Sequence, residues 1–211
     1  KKNILICPLN WGLGHATRCV PIIRELLESG DNVIIAADKA PLAFLKKEFP
    51  KLTFIQLAGF EPLYSKGNSQ VFQLLKSIPN ALINFKKEHK AIEKIVDDYK
   101  IDLIISDNRF GCWSKKVHSI YITHQLNIQV PKFFKWTSPV INQLHKYYIK
   151  KYNELWIPDV ENEPSLSGKL SHPAKIKIKT KYIGFLSRFS SEPKGEIKSI
   201  EYLVILSGPE P

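Results

Sequence analysis

The 211-residue chain holds only three cysteines, Cys7, Cys19 and Cys112, spaced too widely for a CxxC pair or a zinc pattern. An odd, scattered set excludes a disulfide scaffold and points to a reducing, cytoplasmic setting. No apolar run approaches the ~20 residues of a membrane-spanning helix. The start KKNILICPLNWG carries a basic pair, but its apolar core is too short for a secretory signal and no small-residue cleavage site follows. HExxH and DxD arrangements are missing, so no protein-bound metal is indicated. The strained Gly-x-Ser-x-Gly turn of a serine nucleophile is missing as well, as are internal repeats and low-complexity tracts.

What is present is an ordinary globular composition, 44% hydrophobic and 24% charged, with a strong basic balance. Lys plus Arg is 31 against 20 for Asp plus Glu, a formal charge of +11. That balance favours acidic partners: nucleic acid, phosphorylated substrates or anionic lipid. The lysines are spread along the chain and match no nucleic-acid motif, so nucleic acid is not expected.

The first half alternates short apolar runs with amphipathic ones. Strands are predicted at Asn3–Leu9, Asn32–Ala37, Leu52–Leu57, Asp102–Ser106 and Ser119–Thr123, and helices at Ala16–Ser29, Pro41–Glu48, Gln70–Ile78, Asn80–Tyr99 and Ser138–Lys150. ILICPL, NVIIAA and DLIIS are near-continuous apolar runs, as strands are when helices cover both faces of their sheet. The expectation is α/β: a Rossmann-like parallel sheet flanked by helices, with right-handed crossovers. Residues 1–157 read as one domain. Residues 158–199, rich in Pro, Ser and Lys over 158–181, read as a connection between domains. YLVILSG, at 202–208, reads as a buried strand with no helix after it, so 200–211 is expected to open a second α/β domain and the chain to be an N-terminal piece.

The loop LNWGLGHATR lies between the first strand and the first helix. In an open parallel sheet the carboxyl ends of the strands form the ligand crevice. Gly12 and Gly14 permit close backbone approach there, and free N–H groups opening the helix favour an anion. A dinucleotide loop is one reading, with Asp38 in the place of its ribose-binding acid, but Thr17 occupies the third glycine position and His15 is too large for such a turn. A histidine that merely caps the helix is a second reading. The third is that His15 faces the reacting centre as a base or, when charged, pairs with a phosphate. Two further strand ends carry polar clusters, Asp107–Asn108–Arg109 and His124–Gln125, and parallel strands bring such ends to one edge. Asp107 is a second candidate base, or a helix cap. Asn108 and Arg109 suit hydroxyl or phosphate groups.

GLGHATRCVPIIRELLESGDNV resembles the opening of GT-B glycosyltransferases, nearest to family 28, which contains the lipid-linked N-acetylglucosaminyltransferase of peptidoglycan synthesis. DLIISDNRFG, IYITHQLN, LWIPDVE, YIGFLSRF and YLVILSGPEP resemble later segments of that family. The loop NWGLGH departs from the family's longer glycine run. The resemblance implies the N-terminal half of a GT-B fold and transfer of a sugar, an N-acetylhexosamine by that kinship, from a nucleotide diphosphate donor to an acceptor hydroxyl with inversion. It implies no metal or other cofactor, a donor bound mostly by a C-terminal domain, and a piece that is inactive alone. His15 and Asp107 are then the catalytic candidates. Asn10, Gly12, Gly14, Arg18, Asn108, Arg109, His124 and Gln125 are the substrate-binding ones. GLGHATRC also resembles a UDP-sugar hydrolase of the same fold, and a nucleotide-sugar binding module without turnover is the third alternative. The basic–aromatic run Pro131–Trp136 suggests that Phe133, Phe134 and Trp136 touch an anionic membrane surface or a lipid-linked acceptor, at the inner face of the cytoplasmic membrane.

Overall fold

The computed structural model describes residues 1–60, 70–128, 132–162, 164–172 and 176–189, with 70–76 and 132–134 described as backbone only. The expected strand at 202–208 and the expected domain start at 200–211 lie outside these residues, as do the side chains of Phe133 and Phe134.

Among the described residues the chain forms seven strands and four α-helices: β1 Asn3–Pro8, α1 Gly14–Glu28, β2 Asn32–Ala37, α2 Lys39–Glu48, β3 Thr53–Gln56, α3 Gln70–Asp98, β4 Leu103–Asp107, β5 His118–Ile122, α4 Ser138–Ile149, β6 Glu154–Ile157 and β7 Lys179–Tyr182. All pair in parallel, in the order β3-β2-β1-β4-β5-β6-β7. The apolar runs explain the layering. Successive residues of a strand point to opposite faces, so Ile4 and Ile6 of β1 join Ala16, Val20 and Ile23 of α1 in one core. Leu5 and Cys7 join Ile92, Ile95 and Val96 of α3 in the other. A third cluster of Tyr121, Ile149, Tyr152, Leu155 and Ile157 closes the β5–β6 side. No helix among the described residues is long and apolar enough to cross a membrane.

Two expectations are corrected. Helices predicted on either side of Pro79 are one helix, Gln70–Asp98, with Pro79 inside it. A proline removes one intrahelical bond, which a 29-residue helix packed through Ile92, Ile95 and Val96 tolerates. The stretch predicted as irregular over 158–181 contains a short helical turn at Gly168–Leu170 and most of β7. The sequence KTKY has no apolar run because β7 is an edge strand among the described residues, where burial on both faces is not required. Beyond β7 the chain crosses back to the first helices. The Arg188 carbonyl accepts from Arg24 Nη1 at 3.0 Å, and Leu186 packs on the α1 side of the core.

Glu154, buried at the start of β6, holds the opposite end of the sheet together. It accepts from Lys179 and Lys181 of β7 at 3.0 and 2.9 Å and from Trp156 Nε1 at 2.7 Å. Burial alone would raise its pKa, but these donors overcome that and hold it at about 2. A carboxylate depressed in the folded state stabilises fully above its unfolded pKa of about 4.3 and loses that contribution as pH falls toward the folded value. Wild type is therefore expected to lose more thermal stability than Glu154→Gln between about pH 5 and about pH 2. Parallel melting-temperature curves for the two proteins would contradict this.

Candidate active site

The order of the strands reverses between β1 and β4, and the crevice at that reversal is where open α/β sheets bind ligands. Pro8 and Asp107, the last residues of β1 and β4, are register partners there. Directly after β1 the chain turns through Gly12, whose φ of +70° suits glycine. Trp11 fastens this loop to the one after β3: its indole N–H donates to the Phe60 carbonyl at 2.6 Å. Helix α1 then starts at Gly14, two residues before the predicted start, and among the described residues no side chain caps it. Its first turn therefore offers open N–H groups at the crevice.

His15, Arg18 and Cys19 sit one helical turn apart on the same face of α1, and all three reach Asp107. His15 Nδ1 lies 3.0 Å from Asp107 Oδ2, Arg18 Nε donates to the same oxygen at 3.1 Å, and Arg18 Nη2 donates to Oδ1. Cys19 Sγ is 3.9 Å from Oδ2; burial first, then Asp107, pushes its thiol well up. The Asp107 side chain is 0% exposed, that of His15 18%. Asp107 thus stands behind His15, enclosed by donors, and presents no face to a substrate among the described residues. The carboxylate makes sense there only with its cation: Arg18 balances the buried charge.

The tautomer of His15 decides what its ring can do. Nδ1 also lies 2.8 Å from Arg18 Nη2. A carboxylate only accepts, and it is the stronger partner for an N–H. Arg18 already donates to both Asp107 oxygens and, through Nη1, to His124 Nδ1 at 3.1 Å. Nδ1 thus stands between a donor, Arg18 Nη2, and an acceptor, Asp107 Oδ2, and the tautomer with its proton on Nδ1 answers the carboxylate and leaves the free lone pair on Nε2. His124 follows β5 by way of Thr123, and its pKa is lowered by burial, then by Arg18 and His15, against the weaker pull of Asp107 and Asp159.

The remaining residues divide. Gly12 and Gly14 have open space where a side chain would stand. Asn108 adopts a left-handed φ of +58°, which Asn tolerates, and accepts from the Tyr121 hydroxyl at 3.0 Å. Gln125 is exposed, its N–H donating to Thr123 Oγ1. Asn10 is buried beneath the 57–60 loop, against Gly59. Trp136 is 76% exposed on the short helical turn before α4.

Arg109 is a correction. Read from sequence as a substrate group, it is 2% exposed. The left-handed turn at Asn108 sends it inward. Its Nε donates to Glu88 Oε1 at 2.7 Å, and its Nη2 to the carbonyls of Leu57 and Ala58 at 3.0 Å each. Gly111 N–H donates to the other Glu88 oxygen at 2.8 Å, and a Cβ at 111 would stand 2.5 Å from it. Glu88 was missed in the sequence because FKKEHK reads as the solvated face of a helix. Asp159 was missed as well. Buried after β6, it would be raised by desolvation, but bonds from the Ser167 side chain and the backbone of Ser167, Val160 and Leu166 hold it well below the usual carboxylate range. It organises the loop beside the site.

Comparison with known proteins agrees with the architecture. An uncharacterized glycosyltransferase of Methanosarcina acetivorans is 24% identical over 170 residues, 74% of this chain and 42% of that protein. The chain therefore spans less than half the length of this relative. The structure of Arabidopsis thaliana UGT89C1 superposes with a TM-score of 0.57 at 17% identity, covering 92% of this chain and 53% of that one. A UDP-glucosyltransferase from Polygonum tinctorium, capable of glucosylating indoxyl, superposes at 0.55 with 13% identity, covering 91% and 54%. At such identities these structures share the fold, an α/β Rossmann-like sheet of GT-B glycosyltransferase type. Residues 3–165, most of the chain and all of the strand-end site, match the family described as glycosyl transferase family 1, to which this chain belongs.

Proposed function

We propose that the protein is a glycosyltransferase in which His15 is the general base and Asp107 its orienting partner. The observation that carries this reading is the His15 Nδ1–Asp107 contact at the strand-order reversal; with the proton on Nδ1, Nε2 is the accepting nitrogen. In the step proposed, Nε2 takes the proton of an acceptor hydroxyl. The hydroxyl oxygen bonds to the anomeric carbon of the donor sugar, and the bond from that carbon to the diphosphate oxygen breaks. The nucleotide diphosphate leaves with the electron pair on the opposite face, so the configuration inverts. The open N–H groups of α1 favour the anionic leaving group. Asp107 holds the ring and stabilises the imidazolium that forms.

An N-acetylhexosamine as donor sugar and a lipid-linked acceptor rest on the resemblance to family 28. The acceptor reading has one further support. The outer face of the helical turn and α4 exposes Trp136, Val140 and Tyr147, flanked by exposed Lys135 and Lys150, an arrangement suited to an anionic membrane surface. The test is nucleotide diphosphate release by the full-length protein from a panel of nucleotide sugars. It is run with a lipid extract, with water-soluble acceptors, and with neither. Release that requires the extract is the expected result. Release that requires a soluble acceptor keeps the transferase and removes the lipid. Comparable release with neither replaces the transferase by a hydrolase, and none under any condition leaves a binding module.

A further inference from the structure

We infer that Arg18 is a positioning residue that fixes His124 as a neutral hydrogen-bond donor to the acceptor substrate, so that the site presents an accepting nitrogen on His15 beside a donating N–H on His124. The inference rests on the transferase reading above. Its argument starts from what a guanidinium cannot do: it has five N–H donors, no acceptor, and does not deprotonate in proteins. Arg18 Nη1 lies 3.1 Å from His124 Nδ1. That nitrogen must therefore be the unprotonated, accepting one. A neutral imidazole has one N–H, so the proton is on Nε2. His15 Nδ1 differs in having the acceptor-only Asp107 within 3.0 Å as well as Arg18 Nη2, and in the transferase reading it carries the proton there, the opposite tautomer.

The two rings come from distant parts of the chain, one from the first turn of α1 and one from the turn after β5. They meet through a single guanidinium, which Asp107 holds by both of its oxygens. Among the described residues neither Nε2 has a hydrogen-bond partner. Arg18, His15, Asp107 and Asp159 are the charged or titratable groups whose fields act on His124. A ligand answering this pair carries a hydroxyl to give up its proton and a second oxygen able to accept one. A polyol, such as a sugar-bearing acceptor whose neighbouring hydroxyl accepts from His124, has that chemistry. A hydrocarbon alcohol with no second oxygen does not.

The test has a spectroscopic and a kinetic arm, both on the full-length protein. Nitrogen-15 NMR of the histidine side chains is expected to show His124 protonated at Nε2 in the wild type and a mixture of tautomers in Arg18→Lys, which keeps a cation for Asp107 but loses the fork that reaches both groups. A wild-type His124 protonated at Nδ1 overturns the inference without touching the role of His15. In kinetics His124→Leu is expected to lower kcat/KM for the acceptor by about tenfold, as for one lost hydrogen bond. His124→Gln, which keeps a neutral N–H, should restore most of it, with the donor KM unchanged in both. An effect on donor KM alone moves the contact to the diphosphate and overturns the acceptor assignment. If instead His15→Gln keeps full turnover, the base reading fails while the His124 tautomer stands or falls by the spectrum.

Discussion

Replacing His15 with glutamine lowers turnover by about a hundredfold or more, the loss typical of a general base, and leaves the folded protein close to wild type in stability. Glutamine fills a similar volume and offers an oxygen or an N–H, but no nitrogen that accepts a proton at neutral pH. Asp107→Asn separates the orienting role from the chemical one. It too lowers turnover, because an amide can turn its N–H toward Nδ1 and reverse the tautomer. It also destabilises the fold, since the Arg18 guanidinium then lacks its buried counter-charge. The measurement is initial-rate kinetics with saturating donor, paired with thermal unfolding of each variant. Turnover of His15→Gln within a few-fold of wild type would remove His15 from the chemistry and leave a structural histidine in a glycine turn.

The second large effect is on stability. Glu88→Ala is expected to destabilise by about 3–5 kcal/mol, because it leaves Arg109 charged and buried without its carboxylate. For a domain of this size that corresponds to a melting temperature lower by roughly 6–20 °C. The same carboxylate accepts from Gly111, and Arg109 in turn holds the carbonyls of Leu57 and Ala58, so the change loosens three segments that meet beneath the site. Gly111→Ala should be damaging for a simpler reason, a methyl group 2.6 Å from the Phe85 carbonyl. Urea unfolding measures both. A loss under about 1 kcal/mol for Glu88→Ala, the value of an exposed pair, would show that the arginine finds water instead.

The sequence by itself determined the layers of this protein and the edge that carries its site. Near-continuous apolar runs at Ile4–Cys7, Val33–Ala37 and Leu103–Ile105 are unfavourable unless both faces are covered, and the amphipathic stretches between them supply the covering helices. Parallel pairing then forces every strand end to one side, so His15, Asp107 and His124 were bound to share an edge. Tertiary structure alone decided what those residues do to one another. His15 and Asp107 are 92 residues apart, and nothing in the spacing says that the carboxylate stands behind the ring rather than beside it. Asn108 and Arg109 follow Asp107 as equals in the sequence, yet a left-handed turn keeps one near the surface and drives the other inward onto Glu88. The physical reason is that polar side chains on a strand end have no periodicity to report their direction. Burial writes a pattern along the chain, whereas a hydrogen bond between distant residues is fixed only once packing has brought donor and acceptor within about 3 Å.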